Sequence, residues 1–331
     1  MSFHSVGIVG AGAWGTALSL SARRAGLDAR LWAFEQEVID DINIRHRNAA
    51  YLPDIDLDPA IRATSSFEEV AQSDFLILVP PAQHLRRIAG QLAPHMKPGQ
   101  AALIGAKGIE QSTGALLSSV MAEALPQAEI GVLSGPSFAA EVARGLPAAL
   151  TLATAREELG SDLSHALSHT AFRCYWTDDV AGAEIGGALK NVYAIAAGIV
   201  AGKRLGESAH AALVTRSFAE MTRFGTALGA RRETLAGLSG FGDLILTCGS
   251  AQSRNMSLGI ALGEGQKIET VLAARICVTE GLHTASAVAN MSEARGLDMP
   301  IAQAVDAVAS GRASVDAAIG ALLARPLRAE S

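Results

Sequence analysis

At 331 residues, and at roughly 100 to 200 residues per domain, the chain is long enough for two domains, each with a core of its own. Apolar residues make up 49% and charged ones 18%, a balance that excludes intrinsic disorder. With 27 Lys and Arg against 33 Asp and Glu, the net charge is −6, so nucleic acid is not expected as a main partner.

The chain runs from MSFH straight into an apolar segment, without the charged region, apolar region and cleavage site of a secretory signal. Cytoplasmic residence is the expectation. The first half then alternates short apolar runs with helical patterns, the signature of a mostly parallel sheet covered on both faces. Strands are predicted at Val6 to Val9, Ala29 to Ala33, Phe75 to Val79, Ala101 to Ala106, Ile130 to Leu133 and Ala148 to Ala153. Pro80-Pro81, Pro98-Gly99 and Gly135-Pro136 punctuate them, because proline cannot continue a ladder. Beyond Asp179 the period changes: Ile185, Ala188, Leu189, Val192, Ile195, Ala196 and Ile199 step by three and four, as do Val214, Phe218, Met221, Gly225 and Leu228. The reading is α/β: an N-terminal sheet domain over 1–180, followed by an all-helical domain over 181–331. The longest strongly apolar helical stretch, Val192 to Gly202, falls well short of the ~20 residues of a membrane span.

Gly10-Ala11-Gly12-Ala13-Trp14-Gly15 stands between the first strand and a helix read over Thr16 to Ala25. There, Gly10, Gly12 and Gly15 suit a tight turn, a close backbone approach to a pyrophosphate and anion binding at a helix start. A Rossmann-type dinucleotide site is favoured over a turn that merely packs helix on strand. Ala33-Phe34-Glu35 ends the second strand, where such folds present an acid to the ribose of NAD or a base to the 2′-phosphate of NADP. Glu35 points to NAD, whereas Arg30, Arg45 or Arg47 folding over the site would allow NADP.

Lys107 follows the fourth strand, and Ser134-Gly135-Pro136-Ser137-Phe138-Ala139 the fifth, both at strand ends where open sheets bind ligands. In Glu184-Ile185-Gly186-Gly187-Ala188-Leu189-Lys190-Asn191, a cation and an amide lie in an otherwise small or apolar helix. A lysine so placed is either a general acid-base group with a lowered pKa or a side chain snorkelling from the core. Gly240-Phe241-Gly242-Asp243 sets a carboxylate in a flexible glycine context, with Thr247 four residues on. Ser253-Arg254-Asn255 joins a helix-capping hydroxyl to a guanidinium fork and an amide, a combination suited to phosphate. His165 and His169 have the i, i+4 spacing of metal ligands but no third ligand, and are read as surface residues. No metal site is expected. Cys174, Cys248 and Cys277 lack any CxxC spacing, which indicates neither disulfides nor zinc.

In their order, the segments GAGAWGTAL, NAAYLPD, AKGIE, SGPSFAAEVARGLPAA, EIGGALKNVYAIAAGI, AALVTR, GLSGFGDLILTC, QSRN, VTEG and MPI resemble the bacterial NAD(P)-dependent glycerol-3-phosphate dehydrogenases along nearly the whole chain. The resemblance implies that Lys190 is the general base towards the C2 hydroxyl of glycerol 3-phosphate. It implies that Lys107, Asp243 and Thr247 bind and polarise substrate, that Arg254 and Asn255 hold its phosphate, and that Gly135, Ser137 and Ser253 add contacts. Ala13, Trp14, Lys107, Ala139, Arg254, Val278 and Glu280 match positions that contact NAD or NADP, and Phe34 stands where relatives often carry a basic residue or histidine. Pro81 and Ser217 also depart from the family pattern. The implied reaction interconverts sn-glycerol 3-phosphate and dihydroxyacetone phosphate for glycerophospholipid synthesis, with a homodimer as the candidate assembly. Two rivals stay open: a dehydrogenase of similar architecture acting on another hydroxy acid or polyol phosphate, and a non-catalytic nicotinamide sensor.

Overall fold

In the computed structural model, residues 3–274 and 279–326 are described. Ten strands form: β1 Ser5–Val9, β2 Asp28–Trp32, β3 Arg47–Asn48, β4 Leu52–Asp56, β5 Arg62–Thr64, β6 Phe75–Leu78, β7 Ala101–Ile104, β8 Glu129–Ser134, β9 Ala148–Thr154 and β10 Phe172–Thr177. Eight of them make one sheet in the order β10-β9-β8-β7-β6-β1-β2-β5, while β3 and β4 form a separate antiparallel pair. All pairings in the large sheet are parallel except β8 with β9.

The chain leaves β1 for β2 on one side and later returns to lay β6 on the other. This reversal opens a crevice at the carboxyl ends of β1 and β6, where open sheets bind their ligands. Because β1, β2, β6, β7 and β8 are parallel, the segments after them, from Gly10, Ala33, Val79, Gly105 and Gly135, emerge along that same edge. The central strands are buried on both faces, as parallel strands covered by helices must be.

Six expected strands are present. The sequence reading omits β5, β10 and the β3–β4 pair. β5 is only three residues long, and β10 is an edge strand whose exposed Arg173 and half-buried Tyr-flanked partners blur its apolar pattern.

After β10, every regular element among the described residues is helical. The helix Val180–Gly202 forms the axis, buried on all sides from Gly182 to Ile199. Its apolar residues run right round the helix, so it must be enclosed by others. It is 23 residues long, and 89% of its most apolar window is buried in the fold. Its length would suffice to cross a membrane; the expectation of a shorter apolar stretch understated it, and burial within the fold marks it as a core helix. Asp179 caps its start, accepting from Gly182 N at 2.8 Å and from Arg231 N at 2.8 Å. Gly198 and Gly259 face each other where it crosses the helix Arg254–Gly263. A Cβ at Gly198 would lie 2.1 Å from Met256 O, and one at Gly259 2.0 Å from Ile195 O, so the crossing requires glycine on both helices.

The helical region is joined to the sheet region by buried polar contacts. Glu184 of the axial helix accepts from Ser118 N at 2.9 Å and Ser118 Oγ at 2.6 Å, capping the helix Leu117–Ala124 from outside. Burial pushes the Glu184 carboxyl up to about 7, against the pull of those hydrogen bonds. Within the helical region, Glu220 of the helix Glu207–Ala227 accepts from Ile301 N at 2.7 Å at the start of the helix Pro300–Ala309.

Of the histidines expected on the surface, His165 is exposed. His169 is a correction: it is half-buried, 3.1 Å from Ser21 Oγ and stacked on Phe172, because the turn before β10 folds it onto the helix Ala13–Arg24.

Candidate active site

Three glycines shape the turn after β1. Gly10 has φ +121°, a conformation that L side chains rarely adopt, with the backbone of Val79 and Pro80 about 3 Å from where a Cβ would stand. A Cβ on Gly15 would fall 1.9 Å from Gly10 O, so the helix Ala13–Arg24 can seat on the turn only with glycine there. Around Gly12 a Cβ would meet nothing within 4 Å. The helix begins directly after it, with no side-chain cap and no acidic residue in the first turn. Such a start presents amides and a partial positive charge to an anion. Trp14 Nε1 is buried beside the turn without a hydrogen-bond partner. Open space at Gly12, uncapped amides and an orphaned donor fit the pyrophosphate end of a dinucleotide. Ala139 begins the helix Ala139–Ala143, which packs against the same helix.

At the end of β2, Phe34 is 75% exposed and Glu35 accepts from the Tyr51 hydroxyl at 3.0 Å. The three arginines considered for a 2′-phosphate are otherwise engaged. Arg45 pairs with Asp41 at 2.6 Å and Arg47 with Asp56 at 2.9 Å, and Arg30 donates to Glu69 O at 2.9 Å.

The charged cluster lies where the axial helix passes the ends of β7 and β8. Asp243 is fully buried and stands between two ammonium groups, Lys190 on Oδ1 and Lys107 on Oδ2, the latter at 2.6 Å. Thr247, one helical turn on, donates to Oδ1 at 3.2 Å. Lys107 also donates to Gly135 O at 3.0 Å, and the Ser137 hydroxyl to the same oxygen at 3.1 Å. Burial pushes Lys190 down to about 8; Asp243 opposes that shift and the Lys107 charge adds to it. Two cations around one carboxylate leave a net positive charge, which suits an anionic substrate. A lysine titrating near neutrality can hold or release a proton at working pH.

Asp243 does not occupy a flexible glycine setting, and this corrects the sequence reading. It is the first residue of the helix Asp243–Cys248, preceded by the single π-helical turn Leu238–Gly242. Gly240 serves close packing there: its Cβ would lie 2.0 Å from Leu235 O. A carboxylate at a helix start is also favoured by the helix dipole.

Ser253 caps the helix Arg254–Gly263 as expected, accepting from Met256 N at 3.2 Å. Asn255 is buried and bridges three helices, donating to Asn191 Oδ1 at 3.0 Å and accepting from Gly281 N at 3.0 Å. Since Asn191 follows Lys190, this amide pair ties the Arg254 segment to the lysine. Arg254 lies close enough to Glu280 for its charge to favour the ionised carboxyl, though burial wins and raises the Glu280 pKa. Glu280 in turn accepts from Ala82 N at 3.0 Å, just beyond β6. Glu280 thus joins the start of its helix to the carboxyl edge of the sheet at Ala82 and beside Gly108, whose neighbour Lys107 belongs to the Asp243 cluster. Val278 lies outside the described residues.

The sequence reading gave no individual role to Asn48 or Tyr51, though their segment NAAYLPD was among those it singled out, nor to the buried Ser134 Oγ, which has no hydrogen-bond partner among the described residues and stands 2.5 Å from where a Gly187 Cβ would be.

Family models described as NAD-dependent glycerol-3-phosphate dehydrogenase N-terminus and C-terminus match residues 5–160 and 179–320. A glycerol-3-phosphate dehydrogenase (NAD(P)+) of Parvibaculum lavamentivorans is 55% identical, over 100% of this chain and 99% of that protein. One from Maricaulis maris is 52% identical over 99% of each. The crystal structure of glycerol-3-phosphate dehydrogenase from Coxiella burnetii superposes with a TM-score of 0.93 at 35% identity, covering 98% of this chain and 99% of that one. With matches along almost its whole length and the same fold, the chain belongs to the NAD-dependent glycerol-3-phosphate dehydrogenase family.

Proposed function

We propose that this chain interconverts sn-glycerol 3-phosphate and dihydroxyacetone phosphate with NAD(P)(H), in a cytoplasmic setting where the product feeds glycerophospholipid synthesis. The observation that carries the chemistry is the Lys107–Asp243–Lys190 cluster, with Lys190 buried and its pKa pushed down to about 8.

In the oxidation of glycerol 3-phosphate, neutral Lys190 takes the C2 hydroxyl proton. In the reduction of the ketone, Lys190 in its ammonium form returns that proton to the carbonyl oxygen. Asp243 holds both lysines, and Thr247 holds Asp243. Lys107, facing the same carboxylate, stabilises negative charge developing on the substrate oxygen. Arg254 and Asn255, with the amides of the Ser253-capped helix, hold the phosphate, and Gly135 and Ser137 border the substrate. Gly10 to Gly15, Ala139, Lys107, Arg254 and Glu280 would hold the nicotinamide cofactor, which when bound would supply or accept the hydride. The division into a dinucleotide domain over 1–180 and a substrate domain over 181–331, and a homodimeric assembly, belong to the same proposal.

For the cofactor, Glu35 held by Tyr51 and the carboxylate-paired Arg45 and Arg47 support NAD(H) as the preferred partner. The test is the fall in absorbance at 340 nm when purified protein is mixed with dihydroxyacetone phosphate and either NADH or NADPH. Rapid oxidation, faster with NADH, is expected. Silence with both cofactors from folded protein that binds them overturns the assigned substrate.

A further inference from the structure

The pair β3–β4 is an excursion from the large sheet, yet it delivers one side chain into the nucleotide turn. Asn48, the last residue of β3, is fully buried. Its Nδ2 donates to Ala11 O at 2.8 Å and to Thr16 Oγ1 at 2.8 Å. Ala11 O can only accept, so the amide nitrogen must face the turn. Its other end, Oδ1, is buried without a partner among the described residues. Burying an unpaired amide oxygen is unfavourable, so this geometry is retained for what the nitrogen does.

Ala11 and Gly12 are joined by a trans peptide, in which C=O and N–H point in opposite directions. Tying Ala11 O to Asn48 therefore fixes the plane of that peptide and aims Gly12 N–H away from Asn48. The second bond, to Thr16, ties the turn to the first coil of the helix Ala13–Arg24. Ala11 O also accepts from Thr16 Oγ1 at a longer 3.4 Å, so Asn48 supplies the shorter of its two side-chain restraints in a glycine-rich turn.

We propose that Asn48 is a positioning residue for the dinucleotide: from a separate hairpin it presets the Ala11–Gly12 peptide and the helix start, so that the turn is formed before the pyrophosphate arrives. Asn48 does not touch the reacting atoms. The inference rests on the reading that the glycine turn binds NAD(P)(H).

The experiment measures NADH affinity by fluorescence titration, alongside steady-state kinetics, for wild type, Asn48→Leu, Thr16→Val and Thr16→Ser. Asn48→Leu keeps the branched shape, adds no charge and removes both donors. It is expected to weaken NADH binding about tenfold, the effect of one lost hydrogen bond of ordinary strength. The kcat at saturating NADH and the KM for dihydroxyacetone phosphate should stay within about threefold of wild type. Thr16→Ser should bind as wild type does, and Thr16→Val, which loses both the bond from Asn48 and its own bond to Ala11 O, more weakly. A purely structural role would lower the folded fraction and Tm while leaving the affinity of the folded protein unchanged. Folded Asn48→Leu with wild-type NADH affinity overturns the proposal, as does a change confined to kcat. Failure of the wild type itself to bind NADH would instead overturn the reading of the turn.

Discussion

The proposed nucleotide end of the crevice is made of backbone, and the proposed catalytic end is made of buried charge. Around Gly10, Gly12 and Gly15 recognition lies in amides and in the absence of side chains, within six consecutive residues. Around Asp243 it lies in three ionisable groups brought together from positions 107, 190 and 243. The first kind of site is damaged by adding atoms and the second by removing them. That contrast orders the experiments.

The largest effect is expected for Lys190→Ala. General acid-base catalysis is worth about 10²- to 10⁴-fold, so kcat should fall by about that factor while fluorescence titration still shows NADH binding. Near-normal turnover would dissolve the distinction between the two ends.

Next comes pH. Lys190 titrates near 8. Oxidation of glycerol 3-phosphate needs it neutral and should rise with pH through about 8, and ketone reduction needs it protonated and should fall over the same range. Asp243 holds the Lys190 pKa up, so Asp243→Asn should move both limbs to lower pH; pH–rate profiles that do not move would separate Asp243 from Lys190.

Arg254→Ala should raise the KM for dihydroxyacetone phosphate about tenfold to a hundredfold, since a charge-assisted hydrogen bond is worth about 1.5–3 kcal/mol. An unchanged KM would remove Arg254 from the phosphate site.

At the backbone end the glycines should behave differently from one another. Gly12 has φ −68°, which any residue adopts, and open space around it, so Gly12→Ala should fold with wild-type Tm and bind NADH more weakly. Gly15→Ala places a methyl 1.9 Å from Gly10 O and should lower stability by roughly 1–3 kcal/mol or more, read as a fall in Tm. Equal Tm values for the two variants would refute the packing role assigned to Gly15.

The smallest effect concerns the joint between the regions. Glu184 has its pKa raised from 4.5 to about 7 by burial, so the folded state holds that proton more tightly than the unfolded chain. This contribution to stability is full below about 4.5 and is lost as pH rises through about 7. Glu184→Gln should flatten that part of the Tm–pH curve; an unaltered slope would assign the pH dependence elsewhere.

Much of the sheet and the nucleotide turn was legible in the chain, because both are written in neighbouring residues. Apolar runs such as Leu76, Ile77 and Leu78 announce buried strands, and a glycine string between strand and helix announces a turn of restricted chemistry. β3 and β5 escaped because two or three residues carry no periodicity, and β4 because its five residues, LPDID, include a proline and two aspartates. Lys190, Asp243 and Arg254 were visible as unusual residues in their segments, but not their partnership. The glycines before Asp243 suggested freedom, whereas the folded chain uses Gly240 to pack the turn against Leu235 O. Likewise Asn255 looked like a donor awaiting phosphate, and in the fold its amide also joins Asn191 and Gly281.

Local order and pattern thus settled the alternating first half, the helical second half and the residue types available for chemistry, since helix and strand periods and turn chemistry act over a few residues. Only the tertiary structure decided that one carboxylate is shared by two lysines, that Glu184 caps a helix 66 positions away and that Asn48 reaches the nucleotide turn. Those contacts depend on desolvation and on distances between segments remote in sequence. Both arise only when the axial helix is enclosed and docked on the edge of the sheet.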